Sequence, residues 1–532
     1  MHRALRPLPW IAILLLAAAV RLTAVTAALP YMNYVDDGNY LHPVAQMLRS
    51  GSWDPGWYLY PTLPLAAVAA AARLYGPVYQ AEHGRPMRED LTPPGGDFYD
   101  VLEPVELLLI GRVLCLIVSV GAVLLTGLLA RRLAGNRAGL LAAFAAALVP
   151  ALVIRSGIAT VNPYAVFFTL ACLLFADRLR TSSHPSREAL AAGAMAGLAF
   201  ASKYPAVLVS LSFAATVLFV RSGWGERLRF WVLGGVGAVA GLVLGIPPLL
   251  TNPRGVLGGV FQQGTFYEEL PSPSTFWRQT FHRAEWDLPY EHPELGWPFL
   301  VLGLAGLALG AFTRDISGTV RAWWVYILVA LGLYTRYGYQ PFRNLLPLVP
   351  LLCIGVALLA VRIRPRLPRP LWADAAGFLV IAALFGPPVT GYALERWRFQ
   401  DSRKQAVDWL SAYTGPGDTV LVLRELAFLP GELGRLEAKI VPRRLEAART
   451  PLLRAVPRFV LLGEPTNEQG RQAIGPAFRR RVLDRYEIRA RFGEVNTPPF
   501  PYWWHGNRQI VYVLERRDAA FPADLGAAPP WS

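Results

Sequence analysis

Long apolar stretches alternate with short arginine-bearing connectors over most of the chain, and then the pattern changes. Apolar runs near the roughly 20 residues that a bilayer crossing requires fall at 8–29, 105–130, 138–154, 158–176, 189–202, 204–220, 230–250, 297–312, 322–334, 345–361 and 371–392. They predict a polytopic α-helical membrane protein with about eleven transmembrane helices. From about Glu395 the composition turns mixed and charged, which marks a domain boundary between residues 1–394 and 395–532. In the tail the pattern predicts a helix over 402–413, a turn at Gly415-Pro-Gly-Asp418, and strands over 419–423, 459–462 and 509–514. Together these read as a small soluble α/β domain, with a frayed Ala- and Pro-rich end from Asp518.

The basic residues set the orientation. With Arg3 and Arg6 inside, every second connector carries arginine: Arg131, Arg132 and Arg137; Arg178, Arg180 and Arg187; Arg221, Arg227 and Arg229; Arg314 and Arg321; Arg362, Arg364, Arg366 and Arg369. Cytoplasmic loops collect lysine and arginine, so these connectors and the N-terminus are expected on the cytoplasmic side of an inner membrane, and the tail outside. The stretch 57–76 is also apolar, but counting it as a span would throw every arginine connector outward. Pro61, Pro64, Arg73 and the rings of Trp57, Tyr58 and Tyr60 suit a helix lying in the interface. A true span, giving an even total, is the alternative. The first apolar run shows no small-residue cleavage site before Asp36 and is expected to stay as an uncleaved span.

Composition agrees with this picture. The chain is 54% hydrophobic with a mean hydropathy of +0.33, more apolar than a soluble core of this length needs. Its net charge of +15, from 52 Lys+Arg against 37 Asp+Glu, is accounted for by the connectors, so nucleic acid is not an expected partner. Cys115, Cys172 and Cys353 lie far apart inside apolar segments and show no spacing of a disulfide framework or a thiolate metal site. The chain has no glycine-rich nucleotide-binding loop.

The expected outer face receives the loops 30–104 and 251–296 and the tail. Asp36 and Asp37 stand side by side just past the first span, and carboxylates at a membrane exit are costly unless they face water or a polar pocket. This makes them the leading candidate chemistry; the plainer alternative is that they cap a helix beginning near Asn39. His282, Glu285, His292 and Glu294 lack paired metal-ligand spacing, and a solvated loop is the expectation there.

Several motifs in sequence carry a resemblance. Arg21-Leu22, then Asp36-Asp37-Gly38-Asn39-Tyr40, then the run from Ala45-Gln46-Met47-Leu48 to Gly51-Ser52-Trp53, resembles the Asp-Glu-x-x-Tyr … Ala-x-x-Leu-x-x-Gly-x-Trp signature of family 39-like glycosyltransferases. These belong to the GT-C superfamily with the protein O-mannosyltransferases and aminoarabinose transferases. Gly111-Arg112, Ala159-Thr-Val-Asn-Pro163, Ala201-Ser-Lys-Tyr-Pro205, Pro341-Phe-Arg-Asn-Leu-Leu-Pro347 and Lys404-Gln-Ala-Val-Asp-Trp409 extend the likeness in order along the chain.

The resemblance implies a GT-C fold and inverting transfer of a sugar from a polyprenyl-phosphate carrier to a lipid, glycan or protein acceptor at the outer leaflet. It places the general base on Asp36, with Asp37 as its partner. A carboxylate suits that role, because an acceptor hydroxyl is a weak nucleophile until its proton is taken. The leaving lipid phosphate needs cations. Lys203, beside Tyr204, is the first candidate to supply one, followed by Arg343 and Arg112; Tyr40, Asn162 and Tyr60 are the expected substrate contacts. Three departures from the family pattern stand out: Asp37 where Glu is usual, Tyr60-Pro-Thr-Leu-Pro-Leu65 in place of a His- or Lys-Pro-Pro-Leu segment, and Asn162 where Asp is frequent. No resident metal is expected, a divalent cation beside the shortened Asp37 being the open alternative. Lys203 as a snorkelling residue at a helix end, and Arg336, Arg343 and Asn344 as interfacial residues closing a span, are the rival assignments. At the level of the whole protein the rivals are a transporter or flippase of a lipid-linked sugar, against which the lack of visible internal repeats counts, and a sugar-lipid-binding scaffold without activity.

Overall fold

The computed structural model describes residues 7–32, 35–91, 102, 104–221, 223–269, 295–334, 342–363, 370–398, 400–415, 418–423, 439–441, 457–464, 486–493 and 510–517. Arg336 and the group His282, Glu285, His292 and Glu294 lie outside them. The chain divides into two compact units, one of residues 1–26, 39–91 and 106–397, the other of residues 27–38, 92–105 and 398–532.

The first unit is helical. It contains α1 (Leu8–Val25), most of α2 (Val35–Ser50), α3 (Thr62–His83), α4 (Met87–Asp90), α5 (Val105–Leu148), α6 (Pro150–Ile154), α7 (Asn162–Arg178) and α8 (Pro185–Ser202). A 3-10 turn at Tyr204–Leu208 leads into α9 (Val209–Val220), followed by α10 (Trp224–Gly245), α11 (Pro248–Thr251), α12 (Pro253–Glu269), α13 (Trp297–Ala311), α14 (Ser317–Tyr334), α15 (Val349–Ile363) and α16 (Pro370–Arg398). Among the described residues four stretches are helical, long and apolar enough to cross a membrane, Leu8–Val25, Val105–Leu148, Trp224–Gly245 and Leu346–Ile363, and α16 supplies a fifth from Ala375 onward. Shorter apolar helices occupy Tyr204–Val220, Trp297–Ala311 and Ser317–Leu333. The α5 helix is two helices joined at Ala134 and at Gly135, whose φ of 84° is the left-handed conformation that glycine tolerates. The break falls within the basic connector that separates two apolar runs in the sequence.

Two helix pairs approach backbone to backbone. A Cβ placed on Gly237 of α10 would lie 2.1 Å from the Leu190 carbonyl oxygen of α8, and one on Gly306 of α13 would lie 1.7 Å from that of Gly355 in α15. Such contact suits apolar surroundings, where packing rather than water exclusion draws helices together. Polar side chains tie other helices. The fully buried Arg21 donates from Nε to Ser119 Oγ (3.0 Å) and from its terminal nitrogens to the carbonyls of Ala17, Ala146 and Ala147. It thereby joins α1 to both halves of α5.

In α2 the helix begins at Val35, not near Asn39, so Asp36 and Asp37 occupy its first turn instead of capping a later start. Acidic residues are favoured there by the exposed amides and the positive end of the helix dipole.

The second unit holds a five-stranded sheet of β1 (Val420–Leu423), β2 (Lys439–Val441), β3 (Phe459–Glu464), β4 (Tyr486–Phe492) and β5 (Ile510–Arg516), in the order β2-β1-β3-β5-β4. The pairs β1–β2 and β1–β3 are parallel; β3–β5 and β4–β5 are antiparallel. Helix α17 (Ser402–Tyr413) packs on it through Ala406, Val407 and Leu410. The sheet carries a buried carboxylate, Glu515, which accepts from Arg458 Nε and Arg489 Nε at 3.0 Å each. Burial alone would lower the Arg458 pKa, but its bonds to Asp418 and Glu515 outweigh that and hold it raised.

Candidate functional site

The local geometry gathers several of the expected residues around one ammonium group. Lys203 ends α8 in an extended conformation, and the Pro205 that follows restarts the chain as the 3-10 turn. Its side chain is 5% exposed. Nζ donates to Asn162 Oδ1 at 2.8 Å, to Asn344 Oδ1 at 2.8 Å and to the Arg343 backbone carbonyl at 3.3 Å. Three segments thus converge: the start of α7, the end of α8 and a 3-10 turn at Phe342–Asn344. Asn162 is fixed in turn by donating from Nδ2 to Thr160 Oγ1 (2.9 Å). The three acceptors orient the ammonium without carrying charge themselves.

A cleft opens beside this cluster, lined by Lys203, Asn344, Tyr326, Ala206, Ala330 and Leu348. A second cleft is lined by Asn162 with, among others, Ser119, Arg155 and Leu346. The first combines one cation, one amide and one phenol with an apolar wall.

The remaining predicted residues are distributed elsewhere. Tyr204 points its hydroxyl at the Tyr58 backbone carbonyl (2.7 Å). Tyr40 is buried and donates to the Pro64 carbonyl (2.9 Å). Arg112 is buried and donates from Nη1 to the Val25 carbonyl (3.1 Å). Tyr60 meets Trp57 edge to face, ring centres 5.6 Å apart. Asp37 is fully buried; it and Asp36 belong to the second unit, and the Asp36 side chain lies outside the described residues.

Sequence reasoning missed the network around Tyr58. Its hydroxyl donates to Asp54 Oδ1 (2.6 Å) and accepts from Asn252 Nδ2 (3.2 Å), so the loop after α2 is tied both to the turn after α8 and to the loop before α12. Burial, followed by the bond to Asp54, raises the Tyr58 pKa to about 12. The phenol therefore stays a neutral donor across the physiological range. The only signal in the sequence was one aromatic cluster, which did not separate Tyr58 from Trp57 and Tyr60.

Residues 107–250 match the family model described as dolichyl-phosphate-mannose-protein mannosyltransferase, a stretch that includes Arg112, Asn162, Lys203 and Tyr204. Among solved structures the chain is similar to ArnT from Cupriavidus metallidurans bound to undecaprenyl phosphate, with 14% identity, a TM-score of 0.53, and coverage of 95% of this chain and 98% of that one. It is also similar to the apo oligosaccharyltransferase of Archaeoglobus fulgidus, with 12% identity, a TM-score of 0.50, and coverage of 97% and 75%. Against the complex of that oligosaccharyltransferase with Zn and sulfate the TM-score is 0.46 at 13% identity, over 80% of this chain, which spans 60% of the longer one. No curated protein sequence matches. The resemblance drawn from the motifs holds at the level of fold, which is that of the GT-C glycosyltransferases.

Proposed function

We propose that this chain of GT-C fold is an inverting glycosyltransferase that moves a sugar from a polyprenyl-phosphate-linked donor to an acceptor on the extracytoplasmic side of the membrane. The membrane domain, residues 1–394, crosses about eleven times, α3 lies in the interface, and residues 395–532 form a soluble α/β domain outside. In the reaction, Asp36 takes the proton of the acceptor hydroxyl while that oxygen attacks the anomeric carbon. The bond from that carbon to the phosphate oxygen breaks, its electron pair leaving with the lipid phosphate. Attack from the face opposite the leaving group in a single displacement inverts the anomeric centre. Lys203 stabilises the charge that gathers on the phosphate, Arg343 and Arg112 being the second candidates, and Asp37 supports Asp36.

The observation that carries the reading is the placement of the Lys203 ammonium against Asn162, the first residue of α7. A cation and the positive end of a 17-residue helix add to one another, a combination that favours a phosphate. The family match over 107–250 supports the same assignment, and the fold shared with a structure bound to undecaprenyl phosphate is in keeping with a lipid-linked donor.

The test is transfer by purified protein across a panel of polyprenyl-phosphate sugars and envelope acceptors, comparing wild type with Asp36→Asn. Loss of a general base is expected to slow transfer by about 10²–10⁴-fold while leaving donor binding intact. Unchanged transfer in Asp36→Asn removes the base assignment. Absence of turnover with every donor in wild type favours a transport or scaffold role instead. Reporter tags inserted at Gly76 and at the C-terminus are both expected to read as extracytoplasmic; a cytoplasmic signal from either overturns the topology.

A further inference from the structure

We propose that the C-terminal unit positions the acidic turn, with Arg403 locking Tyr31 and Met32 and, through them, the first turn of α2 that carries Asp36 and Asp37. The proposal rests on the reading of Asp36 as the base. Tyr31 is 1% exposed and belongs to the core of the tail, clustered with Ala406, Val407, Leu410, Phe459 and Val511. A residue preceding the acidic pair is thus a core residue of a unit whose sheet begins almost four hundred positions later. The Arg403 guanidinium sits 4.1 Å from the centre of the Tyr31 ring and donates from Nη2 to the Met32 carbonyl at 3.3 Å.

Arg403 is itself held rigidly. Its Nε and Nη2 reach the two oxygens of Asp401 at 2.8 Å each, with both side chains under a tenth exposed. Asp401 also caps α17 by accepting from the Arg403 backbone amide (2.9 Å). Helix cap, ion pair and aromatic anchor are therefore one assembly, and its outward product is the grip on residues 31 and 32. Four chain steps lead from Met32 to Asp36, a tether of at most about 14 Å fully extended. Asp37, in the same unit, is fully buried. Catalytic geometry is sensitive to displacements of about 1 Å, worth up to about 10²-fold in rate, so a loosened anchor reaches the chemistry although neither lock residue touches substrate. Tyr31 and Arg403 are positioning residues.

The test combines kinetics with thiol labelling in the full chain. Tyr31→Ala is expected to lower kcat by about tenfold or more with the KM for a polyprenyl-phosphate sugar unchanged. Tyr31→Phe keeps the ring and restores most of the rate. Arg403→Lys does not restore it, since an ammonium lacks the flat fork that grips Asp401 and stacks on Tyr31. In an Asp36→Asn background Tyr31→Ala costs nothing more, because the base it would position is gone. Independently of activity, a Gly38→Cys thiol, at a buried position in a chain whose Cys115, Cys172 and Cys353 are all buried, reacts slowly with maleimide when the lock is intact and faster in Tyr31→Ala. If Tyr31→Ala also loses polyprenyl-phosphate binding and has unfolded, Tyr31→Leu, which refills the core without a ring for Arg403, is held to the same two readouts. Wild-type kcat and labelling in these variants, or a Tyr31→Ala loss that adds fully to that of Asp36→Asn, overturns the lock. Should Asp36→Asn leave transfer intact, the base reading fails while the labelling still decides whether the lock exists.

Discussion

The two ends of α7 carry buried charges of the sign that its own dipole disfavours, and the protein handles them differently. At the Asn162 end, where the helix is positive, stands the Lys203 ammonium, held by the oxygens of Asn162, Asn344 and the Arg343 backbone. At the Arg178 end, where the helix is negative, stands Asp177, fully buried. Arg132 Nε reaches one of its oxygens at 2.7 Å, Arg180 Nη2 the other at 3.3 Å, and Thr319 Oγ1 donates to the latter at 3.0 Å. The carboxylate is thus answered by full opposite charges and joins α5, α7 and α14, an arrangement that serves packing. The ammonium is aimed by three oxygens, two from side-chain amides and one from the backbone, with no carboxylate among the three. The first arrangement joins three helices; the second aims an ammonium beside a cleft, where the proposed function puts the donor phosphate.

The contrast breaks most sharply at Lys203. Lys203→Ala removes the charge while the apolar wall remains, and transfer should fall by about 10²–10³-fold, as for loss of a group that stabilises transition-state charge. Lys203→Arg should recover little, because the acceptors around Nζ are spaced for a compact ammonium and not for a planar fork. Steady-state kinetics with a polyprenyl-phosphate sugar measure both. A fall of only a few-fold in Lys203→Ala would reduce the residue to a helix terminator that snorkels.

Asp177→Ala should do the reverse. Removing one member of a buried ion pair costs about 3–5 kcal/mol, and because Arg132 and Arg180 are partly exposed, with side chains 29% and 23% accessible, water softens this to about 2 kcal/mol. The expected outcome is a lower midpoint of thermal unfolding in detergent, with unchanged transfer per folded molecule. Transfer lost with the midpoint unmoved would erase the distinction between the two ends.

How much of this was visible beforehand follows from how locally each feature is encoded. Lys203, Asn162 and Arg343-Asn344 each lie in a short motif at a helix boundary, so the sequence pointed to all of them; that one ammonium gathers them was not visible, since the contacts span 41 to 141 positions. The arginines at 132 and 180 were read only as orientation signals, because a connector's charge says nothing of the aspartate it will meet. In the tail, Ser402–Tyr413 and the strands near 420, 459 and 510 followed from periodicity. Strand β4 did not, because Glu487, Arg489 and Arg491 interrupt its apolar positions; it is an edge strand, where charge discourages pairing with foreign chains. Helix α12 was hidden within the stretch 251–296, read as an outer loop, its four glycines weakening any helical signal. The burial of Tyr31 in the core of the tail leaves no trace in the local pattern on either side.

The finest probe of the contrast is Asn344→Ala. Asn344 supplies one of the three oxygens around Nζ and lines the same cleft, so its loss leaves the charge in place but frees its direction. A hydrogen bond to a charged group contributes about 1.5–3 kcal/mol. Since Asn162 and the Arg343 carbonyl remain to hold the ammonium, the expected loss is at the lower end, about tenfold in kcat/KM. If orientation matters mainly as charge builds on the departing phosphate, that loss appears in kcat, with donor affinity close to wild type. Equal losses in Asn344→Ala and Lys203→Ala would mean that the amide contacts the phosphate itself, and that the anion is held by a paired amide and ammonium instead of by an ammonium that the amide merely aims.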